Sequence, residues 1–218
     1  MIEFIFFVAV IALVWQRLTH LPSTTQAAGQ KEVSPKLLQL TQYADRLYAE
    51  KKWVTAEKSY LEVLKLDHRN VTAYSHLGII YSTQKQYDDA IECFQIAAQI
   101  KPSAYTYQNL GLVYYENRNY IKSVAAMEKA IMFEPTANRY VAISKACRKL
   151  ADPGRVVQAL EKAAELESSP RILELLIDAC VDAGRTEQAT DLREKLRQMQ
   201  TPPTKRPKRQ SPVLALKD

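Results

Sequence analysis

Small and apolar side chains return in the same order five times along this chain, in blocks that open at Leu37, Val71, Ala104, Ala137 and Pro170. The fourth position of each block is Leu40, Tyr74, Tyr107, Tyr140 or Leu173, and the seventh is Tyr43, Leu77, Leu110, Ile143 or Leu176. The eleventh, Leu47, Tyr81, Tyr114, Cys147 or Cys180, carries the stripe one turn further. Apolar positions three and four residues apart form one face of a helix, so each block opens with an amphipathic helix about fourteen residues long. The eighth position holds Ala44, Gly78, Gly111, Ser144 and Ile177; the small residues among them fit a crossing at which two helix backbones come close.

A second helix is predicted in each block, opening at Trp53, Tyr87, Tyr120, Pro153 and Thr186. Its apolar face runs through Ala56, Ala90, Ser123, Val156 and Ala189, then Tyr60, Phe94, Met127, Leu160 and Arg193, then Val63, Ala97, Ala130, Ala163 and Leu196. Asp152 followed by Pro153 reads as a helix cap with proline in the first turn, and Pro102, Pro135 and Pro170 punctuate the block boundaries. The expectation is all-α: a solenoid of five helix pairs in blocks 37–70, 71–103, 104–136, 137–169 and 170–200.

These columns resemble the tetratricopeptide repeat. Tyr74, Leu77, Gly78, Tyr81, Ala90, Phe94, Ala97 and Pro102 give nearly the whole pattern in the second block. Tyr107, Leu110, Gly111, Tyr114, Ala130 and Pro135 give most of it in the third, with Ser123 and Met127 as departures. In the looser blocks His68 and Ser168 replace the proline, and Ile177 replaces a small residue, which suits a last block that acts as a cap. The tyrosines at helical spacing are core residues in this reading, since a single block cannot bury its apolar face without neighbours.

The resemblance implies a binding module whose first helices line a groove. Its contact positions here are Thr41, Asp45 and Tyr48 with Leu38 and Ala49; Ser75, Ile79 and Ser82 with Thr72 and Thr83; Tyr105, Gln108, Leu112 and Tyr115 with Glu116; and Lys145, Arg148 and Lys149 with Asn138 and Val141. The groove passes from polar and aromatic to cationic, which suits a protein or peptide with an apolar part and an acidic end. Some family members clamp an acidic chaperone tail with Lys, Asn and Arg. Asn109 stands at one such position, but Thr41, Ser75 and Gln108 occupy others, so that clamp is not assembled.

Charge separates the repeat region from its ends. Residues 37–200 hold 22 Lys and Arg against 21 Asp and Glu, whereas residues 201–218 hold five (Lys205, Arg206, Lys208, Arg209, Lys217) against one. The overall charge of +6 therefore describes the tail, whose prolines and lack of apolar period read as disorder. Its basic cluster could meet anionic lipid or nucleic acid, or simply aid solubility. At the other end, Phe4 to Trp15 has no polar side chain. A helix over the first eighteen residues would reach about 27 Å, near the hydrocarbon thickness, so residues 1–21 are expected to anchor the chain in a membrane. No cation precedes that segment, and Arg17, Lys31 and Lys36 follow it, which places the repeats on the cytoplasmic side. Residues 22–36 read as a flexible tether. A cleaved signal peptide is the competing reading, and it would make the chain a secreted or periplasmic adaptor.

Catalytic chemistry is not expected. Cys93, Cys147 and Cys180 form no paired motif, no phosphate-cradling glycine loop is present, and His20, His68 and His76 do not cluster. His76 is expected to face solvent. Neither a metal nor a cofactor is implied, and the pattern leaves the oligomeric state open.

Overall fold

The structure, a computed structural model, describes residues 34–200. The expected anchor, the tether as far as Val33 and the basic tail lie outside the described residues. By backbone contact the chain divides into residues 1–39 and 40–218. Of the first unit, Ser34 to Gln39 are described, where the Leu38 amide donates to the Ser34 carbonyl at 3.1 Å and opens a helix. The second unit holds the stack.

Ten helices follow one another: α1 Pro35–Ala49, α2 Trp53–Leu66, α3 Val71–Thr83, α4 Tyr87–Ile100, α5 Ala104–Glu116, α6 Tyr120–Phe133, α7 Ala137–Lys149, α8 Pro153–Leu166, α9 Pro170–Asp182 and α10 Thr186–Gln200. Among the described residues there is no strand, and no helix is long and apolar enough to cross a membrane. Side chains close several helix starts: Asn70 accepts from the Ala73 amide at 2.9 Å, Ser103 from Thr106 at 3.2 Å, Asn119 from Lys122 at 3.2 Å and Asp152 from Arg155 at 3.0 Å. Each satisfies an amide that the helix leaves without an internal acceptor. Pro153 and Pro170 occupy first turns, where their missing N–H costs nothing.

One turn is repeated five times and is not visible in the apolar columns. Lys51, Lys85, Arg118, Ala151 and Gly184 have φ of 58°, 62°, 58°, 54° and 72°, each just past the end of a first helix. The following amide donates back into the helix, as from Lys52 to the Leu47 carbonyl, Gln86 to Tyr81, Asn119 to Tyr114, Asp152 to Cys147 and Arg185 to Cys180. This left-handed cap satisfies carbonyls at the helix end and reverses the chain within three residues. Four of the five caps accept a non-glycine residue, at a cost of about 1 kcal/mol each.

Helices α3 and α4, α5 and α6, α7 and α8, and α9 and α10 pack most closely within their pairs, and each second helix then packs on the next first helix. The first helices α3, α5 and α7 also touch one another, which places them side by side along one surface. Much of the expected apolar face is buried: Leu77 is 1% exposed, Phe94 1%, Met127 1%, Leu160 1% and Leu173 0%. The fourth position is shallower than expected, with Leu40, Tyr74, Tyr107 and Tyr140 half-buried, as is Tyr81, and Tyr43 at the seventh position of the first block is exposed, so of the first-helix tyrosines read as core only Tyr114 is fully so. Two further columns complete the interior: Ala73, Thr106, Arg139 and Ile172 at the third position, and Ile80, Val113, Ala146 and Ala179 at the tenth. Arg193, which the columns place on the apolar face of the last helix, is exposed, and α10 buries Ala189 alone. No later pair among the described residues covers that face, so a charged side chain is tolerated there.

Candidate functional site

The surface built by α5, α7 and α9 holds a cavity of about 320 Å³. Helix α5 supplies Gln108, Leu112 and Tyr115, α7 supplies Asn138, Val141, Ala142 and Lys145, and α9 supplies Arg171, with Met127 of α6 beneath. Seven of the contact positions expected from the repeat pattern, Gln108, Leu112, Tyr115, Glu116, Asn138, Val141 and Lys145, thus line one cavity. Tyr115 is held edge-on against Tyr120, with ring centroids 5.4 Å apart. Leu112 remains 45% exposed at the wall of this cavity.

Arg139, which the pattern did not mark, organises this cavity. Its side chain is nearly buried, with Nε donating to Gln108 Oε1 at 2.9 Å and a terminal nitrogen to Glu134 Oε2 at 3.0 Å; its other terminal nitrogen donates to the Glu134 carbonyl. A buried guanidinium needs such partners to offset its lost hydration. The network joins α5, the end of α6 and α7, and it fixes the Gln108 amide at the cavity wall. The only sequence signal for it is a charged residue in a column otherwise filled by glutamine, alanine, threonine and isoleucine.

Charge at the rim is unevenly neutralised. Lys145, Lys149 and Arg171 are exposed and have no ion pair among the described residues, whereas Arg148 lies 4.0 Å from Asp182 on α9. Glu174, Asp178 and Asp182 make the outward face of α9 acidic. The cationic character expected of Lys145, Arg148 and Lys149 is therefore strongest at Lys145 and Lys149, with Arg171 added.

Farther toward the amino terminus the expected residues do different work. Ser75 is buried at 5% exposure and Val141 at 3%, so both form the floor of the first-helix surface and neither stands free above it. Ile79, Ser82 and Thr41 are half-buried, and Tyr105 is 51% exposed. Asn109 has its Nδ2 buried without a hydrogen-bond partner. His76 corrects the sequence reading. It does not face solvent but stacks on Tyr48, with ring centroids 4.4 Å apart, and its Nδ1 lies 2.6 Å from the Tyr60 hydroxyl. The Tyr60 hydroxyl in turn donates to Asp45 Oδ1 at 2.7 Å. With that proton committed to Asp45, Nδ1 of His76 is the donor to Tyr60, which assigns the tautomer of the neutral ring.

Burial holds the His76 pKa below its ordinary value, against an opposing pull from Asp45. It also raises the pKa of Tyr48 and of Tyr60, and Asp45 raises the latter further. The unfolded chain therefore takes up the His76 proton at a higher pH than the folded one, and stability rises with pH through that window. Unfolding midpoints in urea should fall as pH is lowered from about 7.5 toward 5, below the unfolded histidine value of about 6.5. In His76→Gln that part of the slope should vanish; an identical slope in both proteins would remove His76 as its source.

The three cysteines are buried thiols that burial makes harder to ionise, with Cys93 pushed up to about 12. Such thiols are packing groups rather than nucleophiles.

The fold and this surface define a helical-repeat solenoid. The tetratricopeptide repeat family models match residues 71–103 and 104–136, the second and third blocks. No curated protein sequence matches the chain significantly. Among solved structures, a MamA protein superposes with a TM-score of 0.68 at 21% identity, over 74% of this chain and 90% of that one. MamA from Desulfovibrio magneticus RS-1 superposes at 0.67 with 15% identity, over 77% and 96%. YrrB, described as a TPR protein with an unusual peptide-binding site, superposes at 0.63 with 15% identity, over 74% and 84%. Residues 71–136 carry two tetratricopeptide repeats, and the structural likenesses show that the described residues share the fold of these helical-repeat proteins.

Proposed function

We propose that the chain is a non-catalytic adaptor that binds a protein or peptide along its first helices, with an apolar segment over Leu112 and Tyr115 and an acidic group at Lys145 and Arg171. The observation that supports this most is the juxtaposition of an apolar cavity with cations that have no ion pair among the described residues. An exposed leucine beside such charges is what an acidic, partly apolar segment requires. YrrB, of similar fold, is described by its peptide-binding site.

Charge reversal tests the reading. Against acidic peptides carrying leucine or phenylalanine, Lys145→Glu with Arg171→Glu should weaken binding at least about tenfold, and Leu112→Ser by a similar factor, since a buried charge contact and an apolar anchor are each worth more than about 1.4 kcal/mol. Fluorescence polarisation against a panel of such peptides measures it. Unchanged affinity in both variants would discard the groove.

The proposal extends to location. The apolar run from Phe4 to Trp15 and the cations that follow it favour an anchored chain with its repeats on the cytoplasmic face. Membrane fractionation of the full chain beside one lacking residues 1–21, with intact mass to detect cleavage, tests the anchor. Protease protection in sealed vesicles tests the side.

A further inference from the structure

A larger cavity, about 600 Å³, lies away from that groove, where α4, α5 and α6 meet. Its walls repeat one arrangement twice. Lys129 Nζ sits 5.4 Å from the ring centroid of Tyr107, and Lys122 Nζ sits 5.6 Å from that of Tyr114. Because α5 and α6 run in opposite directions, the two steps are separated by seven residues on each helix, or about 10.5 Å. Between them the floor is shallow and apolar, formed by Ala98, Leu110, Ala125 and Ala126. Gln95 donates to the Tyr114 hydroxyl at 2.8 Å and steadies that step from the α4 side. Neither lysine has an ion pair among the described residues, and a ring face holds an ammonium in place without neutralising it.

We infer that this cleft is a second binding site, for an acidic polyproline segment with two carboxylates three residues apart. The spacing narrows the conformation. A polyproline II helix advances about 3.1 Å per residue with three residues per turn, so side chains at i and i+3 point the same way about 9.3 Å apart. In an extended strand, the same-face spacings of about 6.6 and 13 Å miss the two ammonium groups. An α-helix with acids at i and i+7 has a matching rise of about 10.5 Å, so it is the competing conformation that the test below must exclude. Prolyl rings between the acids fit the shallow alanine and leucine floor, as in grooves that read preformed polyproline helices beside aromatic rings. A polyproline helix leaves its carbonyls unpaired, and the exposed Gln99 amide at the cleft edge is a donor for one of them. The site shares no charged residue with the groove formed by α5, α7 and α9, so the two stand or fall separately.

The test uses the full chain and fluorescein-labelled peptides Glu-Pro-Pro-Glu, Glu-Pro-Glu, Glu-Pro-Pro-Pro-Pro-Glu and Glu-Ala-Ala-Glu, each with the same neutral flanks, read by fluorescence polarisation. Glu-Pro-Pro-Glu should bind best, about tenfold more tightly than either altered proline spacing, because only it engages both cations at once. Lys122→Glu with Lys129→Glu should abolish that preference while the far-UV spectrum and melting temperature stay those of the parent. Lys145→Glu should leave it intact. Equal affinity for all spacings, or a helical peptide with acids at i and i+7 binding better, would overturn the assignment. So would binding that survives the Lys122 and Lys129 reversals but falls with Lys145→Glu, or no binding of Glu-Pro-Pro-Glu at millimolar concentration.

Discussion

Phe94→Ala should destabilise the stack by about 3–5 kcal/mol, the usual cost of emptying a fully buried aromatic site. Phe94 is 1% exposed and lies in a cluster with Ala90, Leu110, Val113, Tyr114 and Ala126, so it joins the second helix pair to the third. A separate cluster runs from Val124 and Met127 of α6 through Cys180 of α9 to Ala189 of α10. In a repeat array, stability is close to a sum of pair and interface contributions, and weakening one interface uncouples what lies on either side. Urea unfolding followed by circular dichroism should therefore change from one transition to two, with the later one retaining the parent midpoint. A loss below about 1 kcal/mol with a single transition would mean that the ring is not the joint between pairs two and three.

The same array shows which parts of a repeat protein can be read in one dimension. Columns four, seven, eight and eleven of the first helices, and the second-helix face through Ala90, Phe94 and Ala97, are legible because every pair meets its neighbour in the same way. The left-handed caps at Lys51, Lys85, Arg118 and Ala151 are not, because the requirement falls on the backbone and is met by residues as unlike as lysine and alanine. Site features that break the period are also hidden. Arg139 finds Gln108 thirty-one residues earlier, and His76 finds Tyr60 sixteen residues earlier, so each partner belongs to the preceding pair. A column alignment records what the pairs share, while these contacts depend on what two adjacent pairs do not share. The cleft formed by Lys122 and Lys129 escaped for a related reason: the repeat pattern directs attention to first-helix positions, whereas both lysines lie on a second helix, and only the packed structure sets them over Tyr114 and Tyr107. Ser75 shows the converse, a position marked for ligand contact that packing leaves only 5% exposed.

Gly78→Val should cost about 3 kcal/mol or slightly less, and the reason lies in one contact. A Cβ on Gly78 would stand 2.8 Å from Cε2 and Cζ of Phe94, closer than side-chain carbons pack. Even alanine, which gains up to about 1 kcal/mol of helix propensity over glycine, should not stabilise here, because the ring is held on all sides and cannot swing away. Gly111 is the control. Its Cβ would meet Cε and Cγ of Met127 at 3.0 Å, and methionine is a pliable neighbour with more rotatable bonds than phenylalanine. Gly111→Ala should therefore be tolerated better than Gly78→Ala, although the Ser123 carbonyl at 3.2 Å limits the gain. Phe94 and Gly78 should also be energetically coupled. Phe94→Leu costs stability alone, but in the Gly78→Val background it removes the ring atoms that the valine strikes, so the double variant should be more stable than the two single losses predict by at least about 1 kcal/mol. Additive losses would show that Gly78 is small for some reason other than the approach of α4, and the close crossing would no longer explain the glycine there.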